Sequence, residues 1–279
     1  MAGNTKKLIA FNYFGGKFQM VQKLYDYFPK HDHFVDLFCG SMVVTLNKPL
    51  SGIDTANDIN SEVVNFFKTL REQPQELLSL LYLTPTSREE YNQAWDIESC
   101  SDVEKARRFY VRLRQSFFGL GSQRENKGWG PTCKNSRANV AEIVSKWLNG
   151  VEKLLPVIDR LKCIQIENRD FRKLVPLVDD PKTFFYCDPP YCRESRTSHH
   201  DYMFDFSDQD HQDLAEVLHQ VRGMFMISGY ECPTMNRLYK DCVMIPLGDY
   251  HTISGRKGRE CIWMNYDGKS QGQYIMRFQ

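Results

Sequence analysis

The chain has 279 residues, a net charge of +1, 42% hydrophobic and 25% charged residues. That length sustains a full core, as one domain with an insertion or as two small domains, and the composition is that of a water-soluble globular protein. No apolar run approaches the ~20 residues of a membrane-spanning helix. The nine cysteines form no Cys-x-x-Cys pair and join no zinc-spaced histidine cluster. Neither a membrane protein nor a structural zinc site is expected, and reduced thiols fit a cytoplasmic protein.

Lys6-Lys7 before Leu8-Ile9-Ala10-Phe11 imitates a signal peptide. The apolar stretch is too short, and Gly15-Gly16-Lys17 stands where a cleavage site belongs, so the segment reads as mature protein. Phe34 to Phe38 reads as a short strand ending at Cys39-Gly40-Ser41, with a helix from there to about Asn47. Ile53 to Asn57 is a second strand ending at Asp58. A helix over 61–71 follows, with Val63, Val64, Phe66, Phe67 and Leu70 as its apolar face. Residues 74 to 118 read as helices, including 74–83 and 87–95, where Ser87-Arg88-Glu89-Glu90 resembles a capping box. Residues 119–137 are glycine-rich and irregular, with room for a hairpin. Alternation resumes with a strand at 163–167, a short helix at 171–177 and a strand at 183–187. A helix over 210–221 and a strand at 224–228 come next, and strands near 241–247, 260–266 and 273–278 close the sheet. This is an α/β body with a Rossmann-like sheet, interrupted by a mainly helical insertion.

Charge distribution says more than net charge. From Lys105 to Arg137 there are nine basic residues and one acid, Glu125, so the remainder of the chain is acidic. Aromatics and glycines lie among them: Phe117, Phe118, Gly119, Gly121, Gly128, Trp129 and Gly130. That pattern is the footprint of a phosphate-backbone binder. The plainer alternative is a solvated helix face plus a basic loop, with some arginines paired to acids inside the helical module.

Asp188-Pro189-Pro190-Tyr191 follows the apolar strand Thr183-Phe184-Phe185-Tyr186-Cys187, at the sheet edge where open α/β folds bind ligands. Asp188 and the Pro189 carbonyl are acceptors for an exocyclic amino group, the prolines stiffen the backbone, and Tyr191 offers a face for stacking. A strand ending in a proline turn is the structural alternative. Asp36 lies in the first strand and Asp58 ends the second, where an acid commonly accepts from ribose hydroxyls. The loop after strand one is neither a dinucleotide fingerprint nor a P-loop, so no diphosphate cradle is indicated. A nucleoside cofactor without phosphates fits better, and S-adenosylmethionine is the common one. Gly15 and Gly16 permit close approach, and Lys17 can meet a carboxylate.

Taken in order, Tyr13-Phe14-Gly15-Gly16-Lys17, Phe34-Val35-Asp36-Leu37-Phe38-Cys39-Gly40-Ser41, Asn57-Asp58-Ile59-Asn60-Ser61, Asp170-Phe171 and Tyr186-Cys187-Asp188-Pro189-Pro190-Tyr191 resemble the Dam-type (D12 class) DNA adenine-N6 methyltransferases. The resemblance implies a methyltransferase core over 1–73 and 150–279, with a target-recognition domain over 74–149 carrying a β-hairpin. It implies that Tyr13, Gly15 and Lys17 contact the cofactor, that Asp36, Phe38 and Gly40 line its methionine end, and that Asp58 and Ile59 hold its ribose and adenine. Asp170 would bond the cofactor's adenine amino group beside Phe171, and Asp188 would be shared with the target base. Many members have a second glycine where this chain has Met42, so the loop there is expected to be wider or packed differently.

The implied reaction is methyl transfer to N6 of an adenine flipped out of double-stranded DNA. Asp188, Pro189, Pro190 and Tyr191 form its catalytic motif, and neither metal nor covalent intermediate is required. Arg112, Arg114, Phe117, Phe118, Arg124, Lys127 and Arg137 are the candidate DNA contacts. A lone regulatory role and pairing with a cognate restriction endonuclease both stay open. Rival readings are methylation of cytosine N4, RNA adenine or a protein glutamine, a catalytically inactive DNA-binding relative, and a nucleotide-dependent oxidoreductase.

Overall fold

A computed structural model describes residues 7–13, 15–116, 128–132, 135–137, 139–195, 204–251 and 257–268 of the protein. In chain order its elements are α1 (Val21–Tyr25), β1 (His33–Asp36), α2 (Val43–Asn47), β2 (Ile53–Asn57), α3 (Ser61–Glu72), α4 (Pro74–Leu83), α5 (Arg88–Gln93), α6 (Asp102–Gln115), β3 (Ser136–Arg137), β4 (Val140–Ala141), α7 (Glu142–Glu152), α8 (Leu154–Leu161), β5 (Gln165–Glu167), α9 (Phe171–Val178), β6 (Thr183–Cys187), α10 (Asp208–Gln220), β7 (Met224–Tyr230), α11 (Pro233–Leu238), β8 (Val243–His251) and β9 (Lys257–Met264). They divide into two compact units: Met1–Phe18, Gly40–Asn47 and Asn60–Ile166 in the first, and Gln19–Cys39, Lys48–Ile59 and Glu167–Gln279 in the second. The strand expected at 273–278 lies outside the described residues.

The second unit is built on a sheet of order β5-β2-β1-β6-β7-β9-β8. Strands β2, β1, β6 and β7 run parallel, and β9 and β8 are antiparallel to their neighbours. Both faces bury apolar side chains, as parallel strands require. Val35, Phe185, Cys187, Phe225, Ile227 and Trp263 pack on Phe171 and Leu174 of α9, Leu214 and Leu218 of α10, and Met235 of α11. On the opposite face Phe28 covers Phe34 and Phe184, with ring centroids 5.6 and 4.8 Å apart. Each such buried ring or aliphatic side chain contributes about 1.5–3 kcal/mol. Local signals fix the helix starts. Ser207 and Asp210 make a reciprocal capping box at α10, and Asp170 caps α9 by accepting from the Arg172 amide at 2.8 Å. Pro176 removes an amide from α9, which ends two residues later.

In the first unit α3 packs on α6 around an aromatic cluster. Phe66 stacks on Tyr110 with centroids 5.5 Å apart, and Tyr110 meets Trp147 edge-on at 5.5 Å. Pro74 opens α4 at a position where its missing N–H costs nothing. The capping box expected at Ser87 is only half formed. The Ser87 hydroxyl accepts from the Glu90 amide at 3.1 Å, while the Glu90 carboxylate is drawn to Arg107. Ser136 to Ala141 form a two-stranded hairpin with Asn139 in the left-handed region, which Asn tolerates. Only β3 lies within the 119–137 stretch where a hairpin was expected; β4 lies beyond it. Helices α1, α7, α8 and α11 were not anticipated.

Candidate active site

In the second unit the parallel strands bring three carboxylates to one sheet edge. Asp36 is the last residue of β1, in register with Ala56 and Tyr186. Asp58 and Asp188 stand one residue beyond β2 and β6. Asp36 is buried, at 2% exposure. Neighbouring groups register this negative field. Burial pushes the Cys39 thiol well above its ordinary value, and Asp58 and Asp36 push it further. Burial likewise raises Cys187, with Asp36 and Asp188 adding to it. The Tyr186 phenol is raised by burial and then by Asp188. Burial and the neighbouring carboxylates therefore favour the protonated forms of these thiols and this phenol.

The loops that carry the acids are tied down by two asparagines. Asn57, 2% exposed, donates to the Leu37 and Arg169 carbonyls at 3.0 Å each and accepts from the Arg169 amide at 2.9 Å. The Cys39 amide donates to the Asn57 carbonyl at 2.8 Å. Asn168 donates to the carbonyls of Asp58 and Ile59 at 2.8 and 3.2 Å. Sequence reading missed both roles, although Asn57 was quoted with its motif. Ile59 stays 45% exposed on this braced loop. Phe38 packs on Phe171 and Phe206, with centroids 5.9 and 5.6 Å away. Asp170 spends its oxygens locally, on the Arg172 amide and on the Arg172 guanidinium at 3.0 Å.

The tetrapeptide is gripped by the neighbouring strands. Ser228 of β7 donates to Asp188 Oδ1 at 2.9 Å. The Tyr191 hydroxyl donates to Glu260 of β9, and the Tyr191 ring meets Tyr230 edge-on at 4.5 Å. Tyr191 is 7% exposed, so most of its surface is already packed. Burial, then Asp188 and Glu260, raise its phenol well above the ordinary value, which keeps it a hydrogen-bond donor. Pro189 is buried and Pro190 half-buried.

In the first unit the Gly16 amide donates to the Tyr13 carbonyl at 3.0 Å, closing a turn through Gly15, whose φ is 74°. Lys17 is buried and its ammonium donates to the Gly15 carbonyl at 3.2 Å. Gly40 has φ 46°, and a Cβ there would stand 2.9 Å from Tyr13 Cδ1. A side chain at position 40 would therefore collide with the Tyr13 ring. Met42, at 0% exposure, takes φ 56°, the left-handed conformation that a glycine adopts freely. The loop keeps the glycine geometry and buries a thioether in it.

The basic segment needs correction. Arg107 pairs with Glu90 and Glu104, and Arg108 with Glu104. Arg112 is 3% exposed, pairs with Glu62 and lies over Trp95 at 5.0 Å. Arg114 donates to the Lys146 carbonyl of α7 at 2.5 Å and sits over Tyr110. Arg112 thus has its charge met by Glu62 within the helical unit, while half-buried Arg114 meets a neutral carbonyl. Three of the neutralising acids, Glu62, Glu90 and Glu104, lie before residue 105, so the charge window left them out. Arg137 on β3 is exposed. Phe117, Phe118, Arg124 and Lys127 lie outside the described residues.

Among the described residues no group of three His, Cys, Asp or Glu side chains could hold a metal ion, and no helix is long and apolar enough to cross a membrane. A mostly parallel α/β sheet here carries three acids at its carboxyl edge, where open α/β folds bind ligands. The chain belongs to the D12 class N6 adenine-specific DNA methyltransferase family, whose pattern it matches over residues 13–253. It is 31% identical over 242 residues to the type II methyltransferase M1.LlaDCHI of Lactococcus lactis subsp. cremoris, covering 81% of this chain and 82% of that protein. It is 24% identical to the DNA N-6-adenine-methyltransferase of Escherichia phage P1, over 83% of this chain but 31% of the phage protein. A solved structure from Clostridium thermocellum overlaps 88% of this chain and 95% of its own at TM-score 0.39 and 9% identity, a likeness too slight to bear on function.

Proposed function

We propose that the protein is a site-specific DNA methyltransferase that moves a methyl group from S-adenosyl-L-methionine to N6 of an adenine flipped out of the duplex. The observation that carries this is Asp188, held by Ser228 at the end of β6 on the same edge as Asp36 and Asp58. The donor set fits the cofactor. An acidic edge attracts a sulfonium and repels phosphates, and carboxylates accept from ribose hydroxyls and amino groups. Bound cofactor supplies a methyl group already activated on a sulfonium.

The chain's own residues supply the rest. Asp188 and the Pro189 carbonyl accept hydrogen bonds from the adenine amino group, drawing its lone pair out of conjugation and stabilising the positive charge that develops on N6. Orientation in the pocket replaces a bimolecular encounter. Tyr191 is the ring against which the base rests, on whatever surface its contacts with Tyr230 leave. Asp58 and Ile59 take the ribose and adenine of the cofactor, Asp36 and Phe38 its methionine end, and Asp170 with Phe171 its adenine edge. Tyr13, Gly15, Lys17 and Gly40 are assigned to the cofactor on their motif.

Residues 74–149 are assigned to target recognition, with Arg137 and, outside the described residues, Phe117, Phe118, Arg124 and Lys127 as DNA contacts. Likeness to a type II methyltransferase supports a restriction endonuclease as the functional counterpart. The test is Asp188→Ala. Methyl transfer to DNA should vanish while DNA binding persists, and an active Asp188→Ala protein would overturn the reading.

A further inference from the structure

Ser228, Tyr230, Glu260 and Ile262 lie on one face of the β7–β9 pair. Tyr230 is in register with Glu260, and Ser228 with Ile262. Directly opposed residues of an antiparallel pair share a face, as do residues two apart on one strand. Asp36 and Tyr186 occupy the same face of β1 and β6, in register with each other. Cys187 is in register with Ile227, so Asp188 continues β6 alongside Ser228.

This face reaches both ends of the tetrapeptide. At one end Ser228, 0% exposed, donates to Asp188 Oδ1 at 2.9 Å and lies 3.4 Å from the Tyr186 hydroxyl. At the other end Glu260, 7% exposed, accepts from the Tyr191 hydroxyl, and its cross-strand neighbour Tyr230 abuts the Tyr191 ring. The prolines fix two φ angles but leave side-chain rotamers open. A carboxylate and a phenol on a loop need further bonds to hold one rotamer each, and two strands of a rigid sheet supply them.

We propose that Ser228 and Glu260 are positioning residues: Ser228 sets the rotamer of the Asp188 carboxylate, and Glu260 holds the Tyr191 ring through its hydroxyl. This rests on the proposed methyl transfer at Asp188. Neither side chain touches a reacting atom in this account; each acts through its partner. The role assigned to Glu260 is that of hydrogen-bond acceptor, so an uncharged acceptor of the same shape should replace it.

The test uses the full-length protein, labelled S-adenosylmethionine and genomic DNA, with Ser228→Ala, Ser228→Thr, Glu260→Ala and Glu260→Gln. The two alanine variants should lose roughly 10- to 100-fold in kcat, the cost of misplacing a reacting group by about an ångström. Their KM for S-adenosylmethionine should stay within about 3-fold of wild type, as for an interaction expressed only in the transition state. Ser228→Thr and Glu260→Gln should recover most of the rate. Amide hydrogen exchange at residues 191–193 should quicken in Glu260→Ala and return to the wild-type rate in Glu260→Gln. Unchanged kcat with unchanged exchange in the alanine variants would overturn the inference. A Glu260→Gln variant as slow as Glu260→Ala would also overturn it, because charge would then be the operative property. A wild-type protein that methylates no DNA would overturn the proposed function instead, and the exchange measurement would still decide whether Glu260 holds the loop.

Discussion

The Tyr13 ring lies where a Gly40 side chain would be: a Cβ on Gly40 would stand 2.9 Å from Tyr13 Cδ1 and 3.2 Å from Cε1. Gly40 also holds φ 46°, a region that L-residues occupy at a cost of about 1–2 kcal/mol. Gly40→Ala should therefore lose at least that much stability in urea unfolding. Tyr13→Ala in the same chain should recover the steric part, so the two substitutions should be coupled, not additive. Strict additivity would show that the ring does not meet position 40.

Met42 offers a reversed order of substitution. It is fully buried with φ 56°. Truncating a buried Met costs about 2–5 kcal/mol, and glycine ordinarily costs more than alanine. Here glycine relieves the left-handed backbone and alanine does not, so Met42→Gly should be more stable than Met42→Ala by about 1 kcal/mol. Denaturant midpoints of the two variants decide it, and alanine being the milder change would contradict the assignment.

Arg112 and Arg137 should separate stability from DNA binding. Arg112→Ala strands Glu62 beside a nearly buried site and should cost roughly 3 kcal/mol of stability. Arg137→Ala should leave thermal stability unchanged and reduce the slope of log affinity against log salt by about 1. Thermal melts and a salt titration of DNA binding read the two effects.

His31 makes stability depend on acid. Its ring donates from Nδ1 to the Pro29 carbonyl at 2.7 Å and accepts at Nε2 from Ser51 at 2.8 Å, with Lys48 donating to Ser51 and to Asp54. Burial, helped by the Lys48 charge, lowers its pKa to about 4 from an ordinary 6.5. The unfolded chain binds the proton first, so stability falls as pH drops from 6.5 and the loss is complete below 4. The loss amounts to roughly 3 kcal/mol at most. Urea midpoints across pH 4–7 should slope less in His31→Gln than in wild type.

Much of this was legible in the residues. The mainly apolar run 183–187 before Asp188 read as β6, and Pro74 marked the start of α4, each with the observed bounds. The acids at 36, 58 and 188 could be placed at one edge because strands that alternate with helices run parallel. Partnerships distant in sequence were not legible. Ser228 stood in an apolar strand and Glu260 before Cys261-Ile262-Trp263, and a polar residue in such a run was the only signal of either. Arg112 looked like a DNA contact because its acid, Glu62, lies fifty residues earlier. Helices α7 and α8 were passed over beside a glycine-rich stretch, although Trp147, Val151 and Leu154 form their buried stripe.

The most direct measurement is the identity of the methylated nucleoside. DNA incubated with the protein and labelled S-adenosylmethionine would be digested to nucleosides and separated. Label is expected in N6-methyladenine and nowhere else, abolished by Asp188→Ala. Label in N4-methylcytosine, or in RNA or protein but not DNA, would contradict it.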